Sequence, residues 1–184
     1  MKYKIGTRGS KLALKQTNDV IHRLKQAYPE DEFEAVVITT IGDIEQKKSL
    51  EQIGGKGVFV QEIEEELRNG TIHAAVHSMK DMPAEAEEGL TFTKAWKRQD
   101  ARDVFVFREA KSLEELPKGA VIGTGSKRRA YQLLKIRPDL KIVGIRGNID
   151  TRLKKLHSVQ SDGTYMDGII LAAAGLKRLN MDEI

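Results

Sequence analysis

The order of strand-like and helix-like segments predicts an α/β protein of two domains, with mainly parallel sheets, helices on both faces and a cleft between the domains. Three observations carry that expectation. Each half reads strand–helix–strand–helix–strand, an alternation that implies parallel strands joined by helical crossovers, nearly always right-handed. Both halves open on similar words: Ile5–Gln16 reads IGTRGSKLALKQ and Ile122–Leu133 reads IGTGSKRRAYQL. Between them, Leu90–Glu109 alternates apolar and polar residues and then becomes a strand, which reads as an ordered crossing segment and sets the domains at 1–95 and 96–184.

In the first half the strand ending in IGTR leads into a helix over Lys11–Ala27, with Leu12, Leu14, Val20, Ile21 and Leu24 on its apolar face and Pro29 ending it. Phe33–Thr40, rich in β-branched residues, is the next strand. A glycine-rich loop leads to a helix over Val58–Asn69, closed by Gly70, and Ile72–Met79 is the third strand. In the second half a strand entering IGTG precedes a helix over Lys127–Ile136 with Ser126 as its N-cap and Pro138 as its stop. A strand over Leu140–Gly147 follows, then a helix from Asn148 or Asp150 to His157, then a buried strand over Met166–Gly175.

The 184 residues are 40% hydrophobic and 32% charged, with a net charge of +4. That is enough apolar material for buried cores, and the charge leans toward anionic partners. There is no cysteine, so disulfides, zinc-thiolate sites and a thiol nucleophile are excluded within these residues. No apolar run approaches the ~20 residues that span a bilayer, and the start carries no apolar signal region. A cytoplasmic protein free of the membrane is expected. His22 and His157 sit in helices, and His73 and His77 share one strand face without carboxylates at ligand spacing. All four read as structural, and no metal is expected.

In open α/β sheets ligands bind beyond the carboxyl ends of the strands. There the sequence places Arg8, Ser10, Lys80 and Asp81 in the first half, and Thr124, Ser126, Arg128, Arg129, Arg146, Arg152, Ala172 and Arg178 in the second. From Ala120 to Lys155 there are 10 Lys or Arg against 2 acids. Taken singly, each cation is a solvated surface charge. Five arginines together at strand ends, Arg8, Arg128, Arg129, Arg146 and Arg152, suggest a ligand with several carboxylates or phosphates, which guanidinium forks grip in pairs of hydrogen bonds. Asp81 is nearly alone as an acid there. It could give a proton to a leaving amine or stabilise a developing cation, or simply cap a turn before Pro83. GGKGVF, Gly54–Phe59, is not a phosphate-binding loop of the G-x-x-x-x-G-K-[ST] kind. It is either a helix entry or a lid that brings Lys56 to the ligand.

The words IGTRGSKLAL, GGKGVFVQEIE, AAVHSMKDMP, GTGSKRRAYQL, RPDLKIVGIRGNIDTRL and DGIILAAAGLKRL run in order over nearly the whole chain. They resemble the porphobilinogen deaminase (hydroxymethylbilane synthase) family, with HSMKD and RGN–TRL the most specific. The resemblance implies a three-domain transferase of tetrapyrrole and heme biosynthesis, two of whose domains are like halves of periplasmic binding proteins. It deaminates and condenses four porphobilinogen units into hydroxymethylbilane on a covalent dipyrromethane primer. Each pyrrole carries an acetate and a propionate, which suits many arginines. By position, the resemblance makes Asp81 the catalytic carboxylate. Cofactor contacts fall to Arg8, Ser10, Lys80, Asp81, Thr124, Ser126, Arg128, Arg129, Arg146, Arg152 and Ala172. Substrate contacts fall to Arg8, Arg146, Arg152 and Arg178, and a flexible covering loop holds Lys56 and Phe59.

This chain departs from the pattern at Gly125, where serine is usual, at Lys127, where an apolar residue is usual, and at Gln61, where lysine is usual. The larger departure is the missing cysteine that would attach the primer, together with the missing third domain and the segment returning to the first. A truncated form without turnover of its own is expected. Its partners are porphobilinogen and the growing polypyrrole chain, and it is expected to be a monomer. The alternative is a non-catalytic two-domain module that binds a small polycarboxylate. Nucleic acid is not expected as a partner, because Tyr131 is the only aromatic residue between Ala120 and Lys155 and stacking on single strands needs more.

Overall fold

The computed structural model describes residues 1–44, 58–160, 163 and 165–181. It divides into two compact units, Met1–Lys97 and Arg98–Ile184. The first contains β1 (Lys2–Arg8), α1 (Lys11–Ala27), β2 (Glu32–Ile38), α2 (Ile41–Ile44), α3 (Gln61–Arg68) and β3 (Ala74–Ala75). Its three strands are parallel in the order β2-β1-β3. Ser10 caps α1, its hydroxyl accepting from the Ala13 N–H at 3.2 Å. The helix stops at Tyr28, just before Pro29. Ile5, Ile21, Ile63 and Ile72 are buried here. Gly6 lies at a tight point, since a Cβ there would stand 2.4 Å from the Ile72 side chain.

Three expected boundaries move in this unit. The helix expected over Val58–Asn69 begins only at Gln61. Val58 and Val60 are both buried, and residues two apart point to different sides of a helix, so the chain enters as a turn. The strand expected over Ile72–Met79 pairs by ladder only at Ala74–Ala75. It then leaves the sheet because Met79–Asp81 closes a 3₁₀ turn, the Asp81 N–H donating to the Ser78 carbonyl at 2.9 Å. Residues 82–102 carry no helix or strand. Positions 91–99 are all exposed, so their alternation has no sheet to match.

The second unit contains β4 (Asp103–Phe107), β5 (Val121–Gly123), α4 (Lys127–Ile136), β6 (Lys141–Val143), α5 (Ile149–Leu156), β7 (Gly168–Ala172) and α6 (Ala173–Arg178). The sheet order is β4-β7-β5-β6. β5 pairs in parallel with β6 and β7, and β4 runs antiparallel to β7. Side chains alternate across a strand, and β7 shows it. Ile169 and Leu171 join Val106, Leu156 of α5 and Leu176 of α6 in one core, while Ile170 joins Ile122, Leu133 of α4 and Leu140 in the other. Both faces are thus covered by helices, as a buried, largely parallel sheet requires. The strand expected over Leu140–Gly147 ends at Val143, and Gly147 turns the chain with φ +109°. The strand expected over Met166–Gly175 gives way to α6 at Ala173. Among the described residues no helix is long and apolar enough to cross a membrane.

Each sheet has its leading parallel strand in the middle. β1 lies between β2 and β3, and β5 lies between β6 and β7. Crossovers therefore leave the central strand in opposite directions, which opens a crevice at its carboxyl end. In the first unit that end is Arg8, and in the second it is Gly123.

Candidate functional site

In the first unit the end of β1, the start of α1 and the turn after β3 meet at a depression of about 50 Å³, lined by Arg8, Ser10, Phe59, His77, Ser78 and Asp81 among others. A cavity of about 10–15 Å³ already holds one water, so this depression has room for a carboxylate group. A larger depression, about 430 Å³, lies among Lys2, Lys25, Asp31 and Glu34. It is at the amino end of β1, where open α/β sheets do not bind ligands, and it gathers no candidate residue.

Arg8 is half-buried and held from two sides. Its Nε donates to Asp43 Oδ2 at 3.1 Å and its Nη2 to Oδ1 at 2.5 Å, while its guanidinium lies 4.0 Å from the centroid of the Phe59 ring. The ring in turn rests on Gly42, where a Cβ would stand 2.2 Å from it. Burial alone would raise the Asp43 carboxyl, but hydrogen bonds from Arg8 and Thr40 and the Arg8 charge hold it below the usual carboxylate value. The reading of Phe59 as part of a covering loop meets a side chain that underlies Arg8. Lys56 lies outside the described residues.

The turn that presents Lys80 and Asp81 is anchored from α1. The Ser78 hydroxyl donates to Gln16 Oε1 at 3.0 Å, and Lys80 and Asp81 are exposed at its tip. His77, read from sequence as structural, faces this depression. Burial pushes its imidazole below the usual histidine value, with Arg8 adding to that and Asp81 opposing it, so it is neutral near pH 7. His73 is structural, its Nδ1 accepting from the Lys4 N–H at 3.0 Å.

In the second unit Thr124 and Ser126 follow β5. Thr124 is buried, and its hydroxyl accepts from the Ser126 N–H at 3.2 Å. Ser126 caps α4, accepting from the Arg129 N–H at 3.4 Å. Gly125, where the family resemblance expects serine, is tight: a Cβ would lie 3.1 Å from the Ile145 carbonyl oxygen. The two arginines after the cap share one carboxylate. Arg128 Nη2 donates to Asp103 Oδ2 at 2.7 Å, and Arg129 Nε and Nη2 donate to Oδ1 at 3.0 and 2.7 Å. Arg129 also donates to the Ile170 carbonyl at 3.0 Å and is 12% exposed, against 60% for Arg128. Arg129 is thus fixed, and Arg128 keeps its reach into solvent.

Arg152 is largely buried and donates to the Gly147 carbonyl at 2.7 Å. Burial, and then the charges of Arg129 and Arg146, press its pKa down. Like charges are therefore gathered at this end of the sheet, and an anion placed among them would relieve the repulsion. The Arg146 carbonyl accepts from Lys155 Nζ at 3.2 Å. Ala172 ends β7 and leads α6, and Arg178 lies in the last turn of that helix, half-buried. Asp43 and Asp103 escaped the sequence reading. Their only signals were position, one after the second strand and one opening the strand before the second repeat. Among the described residues no group of three metal-ligating side chains occurs.

A family model described as "Porphobilinogen deaminase, dipyromethane cofactor binding domain" matches residues 3–184. The chain belongs to the porphobilinogen deaminase family. A porphobilinogen deaminase of Lachnospira eligens is 60% identical over 179 residues, covering 97% of this chain and 60% of the relative. One of Clostridioides difficile is 54% identical, covering 97% and 58%. One of Clostridium novyi is 53% identical over 184 residues, covering 100% and 60%. The chain thus spans about 60% of the length of these curated relatives. The residues fit the cofactor that the family description names. A dipyrromethane with acidic side chains calls for guanidiniums and free helix N–H groups, and the crowding of Arg152 by Arg129 and Arg146 is what an anion would offset.

Proposed function

We propose that this chain carries the binding and catalytic groups of a porphobilinogen deaminase, a transferase that deaminates porphobilinogen and condenses four units into hydroxymethylbilane. Residues 1–95 and 96–184 are its first two domains, each like half of a periplasmic binding protein. The observation that carries the reading is one exposed carboxylate, Asp81, at a seat shared with Arg8, Ser10 and the neutral His77. Arg8, Arg146, Arg152 and Arg178 hold substrate carboxylates. Ser10, Lys80, Thr124, Ser126, Arg128, Arg129 and Ala172 join Arg8, Asp81, Arg146 and Arg152 in holding the dipyrromethane. When bound, dipyrromethane supplies the primer end to which pyrrole units are added. Asp81 passes a proton to the departing amine and balances positive charge on the pyrrole N–H. The reading includes a monomeric protein that works in the cytoplasm without nucleic acid.

No thioether can form on these residues, because none is cysteine. The chain is therefore expected to give no linear tetrapyrrole from porphobilinogen alone. Supplied with free dipyrromethane primer, it is expected to release ammonia slowly from porphobilinogen, and Asp81→Asn should abolish that release while changing porphobilinogen binding less than threefold by calorimetry. Tetrapyrrole formed without added primer would overturn the expectation of inactivity. Tight porphobilinogen binding with no ammonia release would favour the alternative, a non-catalytic polycarboxylate module.

A further inference from the structure

The Asp103 carboxylate holds two consecutive arginines at once. Consecutive residues on a helix leave it about 100° apart, so Arg128 and Arg129 come together only through a shared partner. That partner is itself fixed, because Asp103 opens β4 and pairs in register with Ala172 of β7. Gln132 steadies the outer arginine, its Oε1 accepting from Arg128 Nη1 at 2.8 Å. The arrangement presents a contradiction in charge. A carboxylate set among cations that are to bind carboxylates weakens their field, and burial works against its ionisation until the hydrogen bonds and charges of Arg129 and Arg128 keep it ionised.

We propose that Asp103 is a positioning residue for the carboxylates of a pyrrole ligand: it holds Arg128 and Arg129 in one fixed arrangement, and that order favours binding more than its negative charge opposes it. The proposal rests on the functional reading above, takes porphobilinogen as the pyrrole probe of the dipyrromethane seat that Arg128 and Arg129 line, and adds a residue that acts through the two arginines without touching ligand. Long arginine side chains lose rotamer freedom when they close on a ligand, and a site that has already ordered them loses less on binding. Fixed spacing also discriminates, since a rigid ring with two carboxylates must match it and a flexible polyanion need not.

The sign of one substitution separates order from charge. Asp103→Asn removes a negative charge beside the arginines, so charge alone predicts tighter binding of any anion. Order predicts weaker binding of porphobilinogen, by about tenfold for the loss of a coupled network, with citrate unchanged or tighter. Asp103→Glu keeps the charge and shifts the spacing, so it should also weaken porphobilinogen selectively, and it serves if the Asn variant does not fold. Asp139→Asn removes a comparable pair with Arg137 at the far end of α4. It should lower the melting temperature and leave porphobilinogen affinity unchanged. Calorimetric titration of the 184-residue chain and its variants with porphobilinogen and with citrate reads all of this. Equal or tighter porphobilinogen binding by the Asp103 variants, or an equal loss in Asp139→Asn, overturns the proposal while leaving the functional reading in place. No porphobilinogen binding by the unsubstituted chain overturns that reading, and this proposal with it.

Discussion

Gly42 shows how one residue can act on a binding group it never touches. The Phe59 ring occupies the space a Cβ would need, at 2.2 Å, and the same ring lies under the Arg8 guanidinium. Gly42→Ala must push the ring away or move α2, and with α2 goes Asp43, the other support of Arg8. Overpacking of this kind costs about 1–3 kcal/mol. The expected result is a lower denaturation midpoint together with weaker porphobilinogen binding. A variant that lost stability but bound normally would show that Arg8 does not depend on Phe59. Arg8 was legible in the sequence as a cation at a strand end. Its carboxylate partner and its aromatic floor were not, because residues 43 and 59 reach it only through the chain's return.

At the scale of the element, α4 carries cations in its first turn, where the helix dipole disfavours them. Two features compensate. Ser126 caps the helix, and Asp103 from β4 neutralises part of the charge on Arg128 and Arg129. Ser126→Ala removes the acceptor for the Arg129 N–H and should cost about 1 kcal/mol, read as a shift in the denaturation midpoint without a change in slope. No measurable shift would mean that Asp103, and not the cap, secures the helix start. The helices were read from sequence nearly to the residue in α1, α4 and α5, where periodicity, a cap or a stop marks the ends. The strands were overestimated in β3, β6 and β7. Apolar runs continue past the last ladder pair there, because turns and helix starts bury apolar residues too.

For the whole molecule the titrations add up to acid sensitivity in two stages. His77 is buried as the neutral ring and has its pKa lowered from 6.5. The unfolded chain therefore takes up a proton more readily, and stability falls as pH drops below about 6.5 toward the folded value, then levels off. Asp43, Asp103 and Asp139 have lowered pKa values. Their contribution is complete above the ordinary carboxylate value of 3.8, starts to fall near it, and is lost as pH drops on through their lowered folded values. Denaturant unfolding at pH 7.5, 5.5 and 3.5 should show a small loss at the second pH and a larger one at the third. His77→Gln should remove the first step and keep the second. A first step that persists in that variant would assign it to another group.

The amino-acid sequence by itself determined the βαβαβ order in both halves, the family, and the set of arginines at strand ends. These follow from local signals: period, caps, stops and short words that a chain carries without reference to its fold. Only the tertiary structure decided which arginines are fixed and which reach solvent. Both Arg128 and Arg129 are held by Asp103, but Arg129 is largely buried against a β7 carbonyl while Arg128 stays largely exposed. Tertiary structure also places His77 beside Asp81 at one depression, which its position in the sequence does not signal. The physical reason is common to both. Charge pairing and burial depend on distances between residues tens of positions apart, 103 with 129 and 8 with 77, and only the order and pairing of strands in each sheet set those distances.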